Sequence, residues 1–455
     1  MSTEALQLGS GLGGRHFLMR GPTLVLAGIL LIAAPALRAD TLAQAFAQAY
    51  NSNAAIQAQQ AQLKASGYQV EQAQSGYKPQ INLDAGIGTA HNDLASPFFS
   101  SISTYPQNSK SVALTITQPL YTGGQVSSNV DAAQSAQASQ LANLNAAEER
   151  VFLNVATVYT DVVRDQAVLK LEQGNVEVLK KQLSATQAQF ENGEVTHTDV
   201  AQAEARLAGA DAALIQAQGS LATSQAAYVR VVGVEPGTLE QAVMPEPLPA
   251  TEAEVVQLAQ QNYSVLAARY AENAAQQQAE AIGGKQKPSL ALTGQLLEAR
   301  DPEIGFSRID TRSIMLTFSM PLYAGGALDA EKHAAEQHAV ASHDDLLDAQ
   351  RQAKLDAVNA WQDYQTAIAR LAAIQSQIQA EQVAAQGVRD EASVGERTTL
   401  DVLNADQELL NARVNLIRAQ RDQLVATYAL KAATGQLTAD ALHLPMQTIQ
   451  SAHGN

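Results

Sequence analysis

The chain has 455 residues, no cysteine, one Trp, an aromatic content of 5% and a formal charge of −16. Without cysteine there are no disulfides, thiolate metal sites or lipid-modified N-terminal Cys. So few aromatics argue against a large aromatic-packed core. The lack of any Lys/Arg-rich run argues against a nucleic-acid partner, because phosphate binding needs clustered cations.

Arg15 and Arg20 precede an apolar stretch from Thr23 to Ala34, and small residues follow at Ala34, Ala36 and Ala39. This reads as an export signal over residues 1–39, cut after Ala39 or, alternatively, Ala36. The stretch falls short of the roughly 20 residues of a membrane-spanning helix. A Gly-rich G-x-G-x-x-G match at Gly9 to Gly14 lies inside it with no strand ahead, so it carries no dinucleotide site.

The mature chain opens with an expected helix from about Thr41 to Ser75. Ile81 to Ile87 then alternates apolar with small or polar residues, as a one-faced strand does. A Ser/Pro/Phe-rich loop is expected from His91 to Ser109, and alternation resumes at Val112 to Thr117. Pro119 is expected to stop that strand and Gly123-Gly124 to supply a bend. From Gln125 to Phe190 there is no Pro and only Gly174 interrupts. Leu141, Val155, Val162, Leu169, Val176, Leu183 and Phe190 share one heptad position, and Leu144, Val151, Val158 and Leu179 its complement. That is a supercoiling helix of about 100 Å. Asn192-Gly193 ends it, and a second helix runs from about Thr196 to Val232.

The plan then repeats. Pro119 to Gly124 returns as Pro321 to Gly326, Gly193 to Val200 returns as Gly395 to Val402, and Gly233 returns as Gly435, all at an offset of 202 positions. This is an internal duplication, far longer than a solenoid unit. The expected organisation is a first repeat over 40–233, a Pro-rich joint over 234–250, a second repeat over 251–437 and a tail over 438–455. In the second repeat a helix is expected from Thr251 to Ile282, strands at Leu290 to Thr293 and Ile314 to Ser319, a long helix to Ala392 and a last helix to Ala433. Lys78-Pro79 and Lys287-Pro288, before the first strands, are offset by 209, which implies a longer loop between the strands of the first repeat.

An open four-stranded sheet cannot span a bilayer, where every backbone polar group must be paired. Three copies would close twelve strands around a lumen, whereas eight would be filled by side chains. The alternative from patterning alone is a small soluble sheet.

The export signal, the duplicated plan, the segments Gln118 to Gly124 and Met320 to Gly326, and the two Gly…Asp-Val turns together resemble the TolC family of outer-membrane efflux proteins. The resemblance covers nearly the whole mature chain. It implies a mainly α fold with a small β part: a homotrimer whose twelve-stranded β-barrel sits in outer-membrane lipid and continues as a periplasmic α-helical coiled-coil barrel. It implies a passive exit duct for tripartite efflux or type I secretion, docked to a periplasmic adaptor and an inner-membrane pump. The other reading is a periplasmic coiled-coil spacer without a pore. No nucleophile elbow, zinc motif or phosphate loop points to an enzyme, and no cofactor or metal is expected.

Thr196 with Asp199, and Thr398 with Asp401, have capping-box spacing, so simple helix capping accounts for them. Threefold symmetry would also gather such acids into rings that attract cations at the tunnel end. The resemblance favours a periplasmic gate formed by Asp199, Arg397, Asp401 and Asn404. Asn404 stands where the family pattern has a second acid, and Ala392 where it has an aromatic. Gly193, Glu194, Thr196, Gly395, Glu396 and Thr398 are the implied adaptor-docking turns. Pro119, Gly123, Gly124, Pro321, Gly325 and Gly326 are the expected strand-to-helix bends.

Overall fold

A computed structural model describes residues 41–96, 99–303 and 306–442. The expected export signal and most of the expected tail, 443–455, lie outside these residues.

Eight helices and four strands follow in chain order among the described residues: α1 Leu42–Ser52, α2 Ala54–Gln74, β1 Gln80–Ser96, β2 Phe99–Tyr121, α3 Gln125–Glu191, α4 His197–Val232, α5 Glu252–Ala259, α6 Tyr263–Gly283, β3 Ser289–Glu303, β4 Phe306–Ser319, α7 Ala327–Ser393 and α8 Thr399–Ala433. The two long helices, α3 and α7, have 67 residues each, about 100 Å of helix.

Both helices expected to be continuous at the start of a repeat are broken. Asn53 sits in extended backbone and caps α2 through its side chain. Its amide also donates to Val231 O at 3.2 Å, while the Ser52 hydroxyl donates to Val232 O at 3.1 Å. These bonds satisfy carbonyls left open at the end of α4, so tertiary contact decides the break. Asn262 does the corresponding capping for α6.

The sheet is antiparallel in the order β1-β2-β3-β4, and the β2–β3 pairing joins the repeats. The expected loop from His91 to Ser109 is instead strand: β1 and β2 stay paired out to Ser96 opposite Phe99. Polar Ser, Thr and Asn residues weaken the alternation there, but a neighbouring ladder pairs the backbone regardless of it. The first repeat therefore has longer strands rather than a longer loop. Pro119 does not stop β2, which continues to Tyr121 across a register shift that absorbs the missing N–H. Pro321 does lie beyond the end of β4.

The two faces of the sheet differ in chemistry. Ile81, Leu83 and Ile87 share a face with Val112 and Ile116, with Leu292 and Leu296, and with Ile314, Leu316 and Phe318, and all are exposed. The opposite face carries Asn82 and Asp84, Ser111, Thr115 and Thr117, and Thr293 and Gln295. This is the division between a lipid face and a lumen face.

A cluster of aromatics packs where α1, α3, α4 and α8 meet. Phe46 of α1 meets Phe152 of α3 edge-on at 5.5 Å and Tyr428 of α8 at 5.8 Å, and Tyr159 approaches Tyr228 at 6.4 Å. Phe152, Val155, Tyr159 and Val162 are wholly buried. Leu141 and Phe190, on the same expected heptad position, are about half exposed at 47% and 43%. The seam is thus continuous in sequence but covered only in its middle. The Pro-rich segment crosses this core, with Leu239 buried and Glu240 O accepting from the Tyr159 hydroxyl at 2.8 Å.

Candidate functional site: bends and helix tips

At one end of each long helix the chain turns from strand into helix. Gly123, Gly124, Gly325 and Gly326 all have φ between 64° and 87°, a region that strains other residues. Their surroundings differ. A Cβ on Gly123 would lie 2.5 Å from Gly284 O and 2.9 Å from Lys287 Cβ, whereas one on Gly325 meets nothing within 4 Å. Nearby, Leu322 and Tyr323 are each 89% exposed.

At the other end, each long helix folds back at a tip. Gly193 and Gly395 are left-handed, with φ of 79° and 83°. Glu194 N–H donates to Gln189 O at 2.9 Å and Glu396 N–H to Glu391 O at 3.0 Å, the long bond of a Schellman ending. Reciprocal capping boxes follow. Asp199 Oδ2 accepts from Thr196 N–H at 2.9 Å, and Asp401 Oδ2 from Thr398 N–H at 3.0 Å. The threonine hydroxyls accept in return from the backbone N–H groups of Asp199 and Asp401. The Thr196 hydroxyl and backbone bonds hold the Asp199 carboxyl below its usual range; for Asp401 the Thr398 backbone bond leads, then its hydroxyl.

The two tips are fastened by different chemistry. In the first, Phe190 packs edge-on against His197 at 5.9 Å. In the second, where Ala392 replaces that aromatic, Arg397 Nε donates to Glu391 Oε2 at 2.8 Å. Arg397 also feels Asp401, and both partners keep it protonated. Asn404 is not part of this pair: it accepts from Arg206 Nη2 at 2.5 Å, tying α8 to α4. Leu403 beside it is buried with Val176, Leu179 and Ala210. The expected gate residues therefore divide into two caps, one ion pair and one bond between repeats. The partners Glu391, Arg206 and His197 escaped the sequence reading because no local spacing links them to the residues they touch.

A sheet with one apolar and one polar face, carried on helices of about 100 Å, defines the protomer of an outer-membrane duct that extends into the periplasm. A profile described as "Outer membrane efflux protein" matches residues 45–234 and again 255–436. The Brucella suis outer membrane efflux protein BepC is 32% identical over 424 residues, covering 92% of this chain and 90% of its own. The Vibrio cholerae outer membrane protein TolC is 27% identical over 414 residues, covering 88% and 92%. The crystal structure of CusC superposes with a TM-score of 0.77 at 19% identity, covering 88% of this chain and 93% of its own. The chain belongs to the outer membrane efflux protein family. It is an outer-membrane exit duct of the kind used in efflux and type I secretion, and the reading as a spacer without a pore falls away.

Proposed function

We propose that three copies of this chain close a twelve-stranded barrel and a continuous helical tunnel, and that the duct works docked to a periplasmic adaptor and an inner-membrane pump. The observation that carries the proposal is the sheet's two unpaired edges, β1 and β4, on an element with a lipid-facing side. An edge left open in hydrocarbon would strand its N–H and C=O groups, so the edges must meet across protomers.

The duplication supplies the register. Within the chain Ile116 of β2 pairs with Gly294 of β3. The equivalent positions of the repeats are Phe318 of β4 and Ala85 of β1. The absence of cysteine makes the test clean: Ala85→Cys with Phe318→Cys should give a covalent trimer on oxidation. Moving one cysteine to the other face, as in Asp84→Cys with Phe318→Cys, should not. Equal cross-linking by both pairs would remove the proposed closure.

At the tips, Asp199, Arg397, Asp401 and Asn404 form the proposed periplasmic gate. Gly193, Glu194, Thr196, Gly395, Glu396 and Thr398 present the turns to the adaptor. The exposed Arg397–Glu391 pair supports this, because solvent-screened ion pairs can be exchanged at little cost when a partner docks. The open space at Gly325 supports an intersubunit role for the second bend, just as Gly284 fills the space at Gly123. The Pro119 and Pro321 segments lead into these bends.

A further inference from the structure

The lipid face of the sheet ends in a row of cations. Lys110 of β2, Arg300 of β3 and Arg308 of β4 are consecutive cross-strand partners. They point to the same side as Ile87, Val112, Leu296 and Ile314, since strand residues two apart share a face. Adjacent strands lie about 4.8 Å apart, so three like charges stand directly opposite one another, an arrangement that is unfavourable unless an anion is present.

The acids on this face offset only part of the charge. Glu298 lies 3.3 Å from Arg300 and 3.7 Å from Arg308, and Asp310 lies 3.0 Å from Arg308. Lys110 has no acidic partner among the described residues, nor does Arg312, two positions along β4 from Asp310. Four cations against two acids leave the patch positive. Every Lys and Arg whose side chain is described on the strands lies on this face, and none lies on the lumen face.

The height of the row identifies what it meets. Arg308 is ten residues from Phe318 on β4, and Arg300 is ten from Leu290 on β3. At about 3.3 Å per residue and a tilt near 40°, that is a rise of about 25 Å, the height of a barrel's apolar band. Tyr121 and Tyr323, exposed at the helix-side end, mark the opposite boundary. The cations thus stand at the outer-leaflet headgroup level, where a lipid-facing charge costs little and long stems reach toward the interface.

We infer that Lys110, Arg300 and Arg308 form a binding site for the phosphorylated headgroup of the outer-leaflet glycolipid, lipopolysaccharide. Its phosphates supply the missing countercharge, Arg300 and Arg308 can each offer paired N–H donors to phosphate oxygens, and its acyl chains cover the apolar residues beneath. The inference rests on the barrel reading, which places this face in lipid.

The test is native mass spectrometry of the full-length protein in detergent, titrated separately with purified lipopolysaccharide, the same lipid dephosphorylated, and inorganic phosphate. Wild type should retain the phosphorylated lipid about tenfold better than the dephosphorylated one, as expected for several cations acting near an anionic surface. Lys110→Gln/Arg300→Gln/Arg308→Gln should abolish that preference while keeping the trimer mass. Equal retention of both lipids by wild type would overturn the site, as would an unchanged preference in the triple variant. Phosphate adducts as abundant as lipid adducts would also overturn it, by showing a free-anion site. Should the triple variant not assemble, the wild-type comparison of the two lipids still decides. The trimer mass in the same spectra reports separately on closure of the barrel.

Discussion

The two repeats share a plan of elements but not a distribution of burial. Phe152 of α3 is fully buried among aromatics, while its equivalent on α7 is Lys354, exposed to solvent. Glu149 is buried, while its equivalent is Arg351. The buried positions of α7 are largely alanines, such as Ala353, Ala357, Ala360 and Ala367, whereas α3 buries Phe, Tyr and Val as well. Duplication therefore preserved the backbone path and left the two long helices free to take different neighbours. α3 became the axis of the protomer's own core. α7, with its open bend, presents a surface suited to another copy.

The largest effect that would test this asymmetry is Phe152→Ala. It should cost about 3–5 kcal/mol of stability, whereas Lys354→Ala should leave the Tm of the dissociated protomer unchanged. Similar losses from the two would show that both helices carry the core equally.

The bends come next. Gly123→Ala forces a Cβ against Gly284 O as well as into a left-handed backbone, and should destabilise the protomer by about 2–3 kcal/mol. Gly325→Ala carries only the backbone strain, about 1–2 kcal/mol, in a dissociated protomer. In the trimer the penalties should converge if a neighbouring subunit fills the second bend. Comparing denaturation of monomer and trimer for both variants reads the difference directly.

At the tips, Arg397→Ala or Asp401→Ala should raise single-channel conductance in a planar bilayer severalfold, and Asp199→Ala should raise it less, because the first tip keeps its Phe190–His197 contact. Unchanged conductance in all three would remove these residues from the gate.

The smallest effect concerns pH. Burial, opposed by a hydrogen bond from Leu437 N–H and reinforced by Glu148, lifts Glu149 to about 8. Burial and then Asp440 lift Glu148 to about 7. Tyr50 and Tyr263 stand close enough to feel these acids. From the ordinary carboxyl range up to about pH 8 the folded state holds the extra protons, so this contribution to stability is complete at low pH and is lost as pH rises through that window. Glu149→Gln should flatten the fall in Tm between pH 5 and pH 8 and raise Tm at pH 8. A Tm profile parallel to wild type would place the pH response elsewhere.

Much of this organisation was legible in the residues alone. The long helix α3 follows from its sustained heptad pattern and α7 from the recurrence of the plan, and the capping boxes follow from Thr-x-x-Asp. Left-handed glycines at both bends and tips follow from their recurrence at one offset. The length of β1 and β2 was not legible, because polar residues near the strand tips lose their alternation while the backbone ladder continues. Nor was the helix break at Asn53, since it depends on bonds to the end of a helix far along the chain.

The amino-acid order by itself determined the duplicated plan, the long helices and the residue types at the tips, because periodicity and capping are local properties. Only the tertiary structure decided which repeat is covered, that Arg397 pairs with Glu391 while Asn404 holds Arg206, and that three cations from three strands form one row. Those relations depend on register and packing between segments up to two hundred residues apart, and side-chain pattern along one segment does not specify which neighbour it meets.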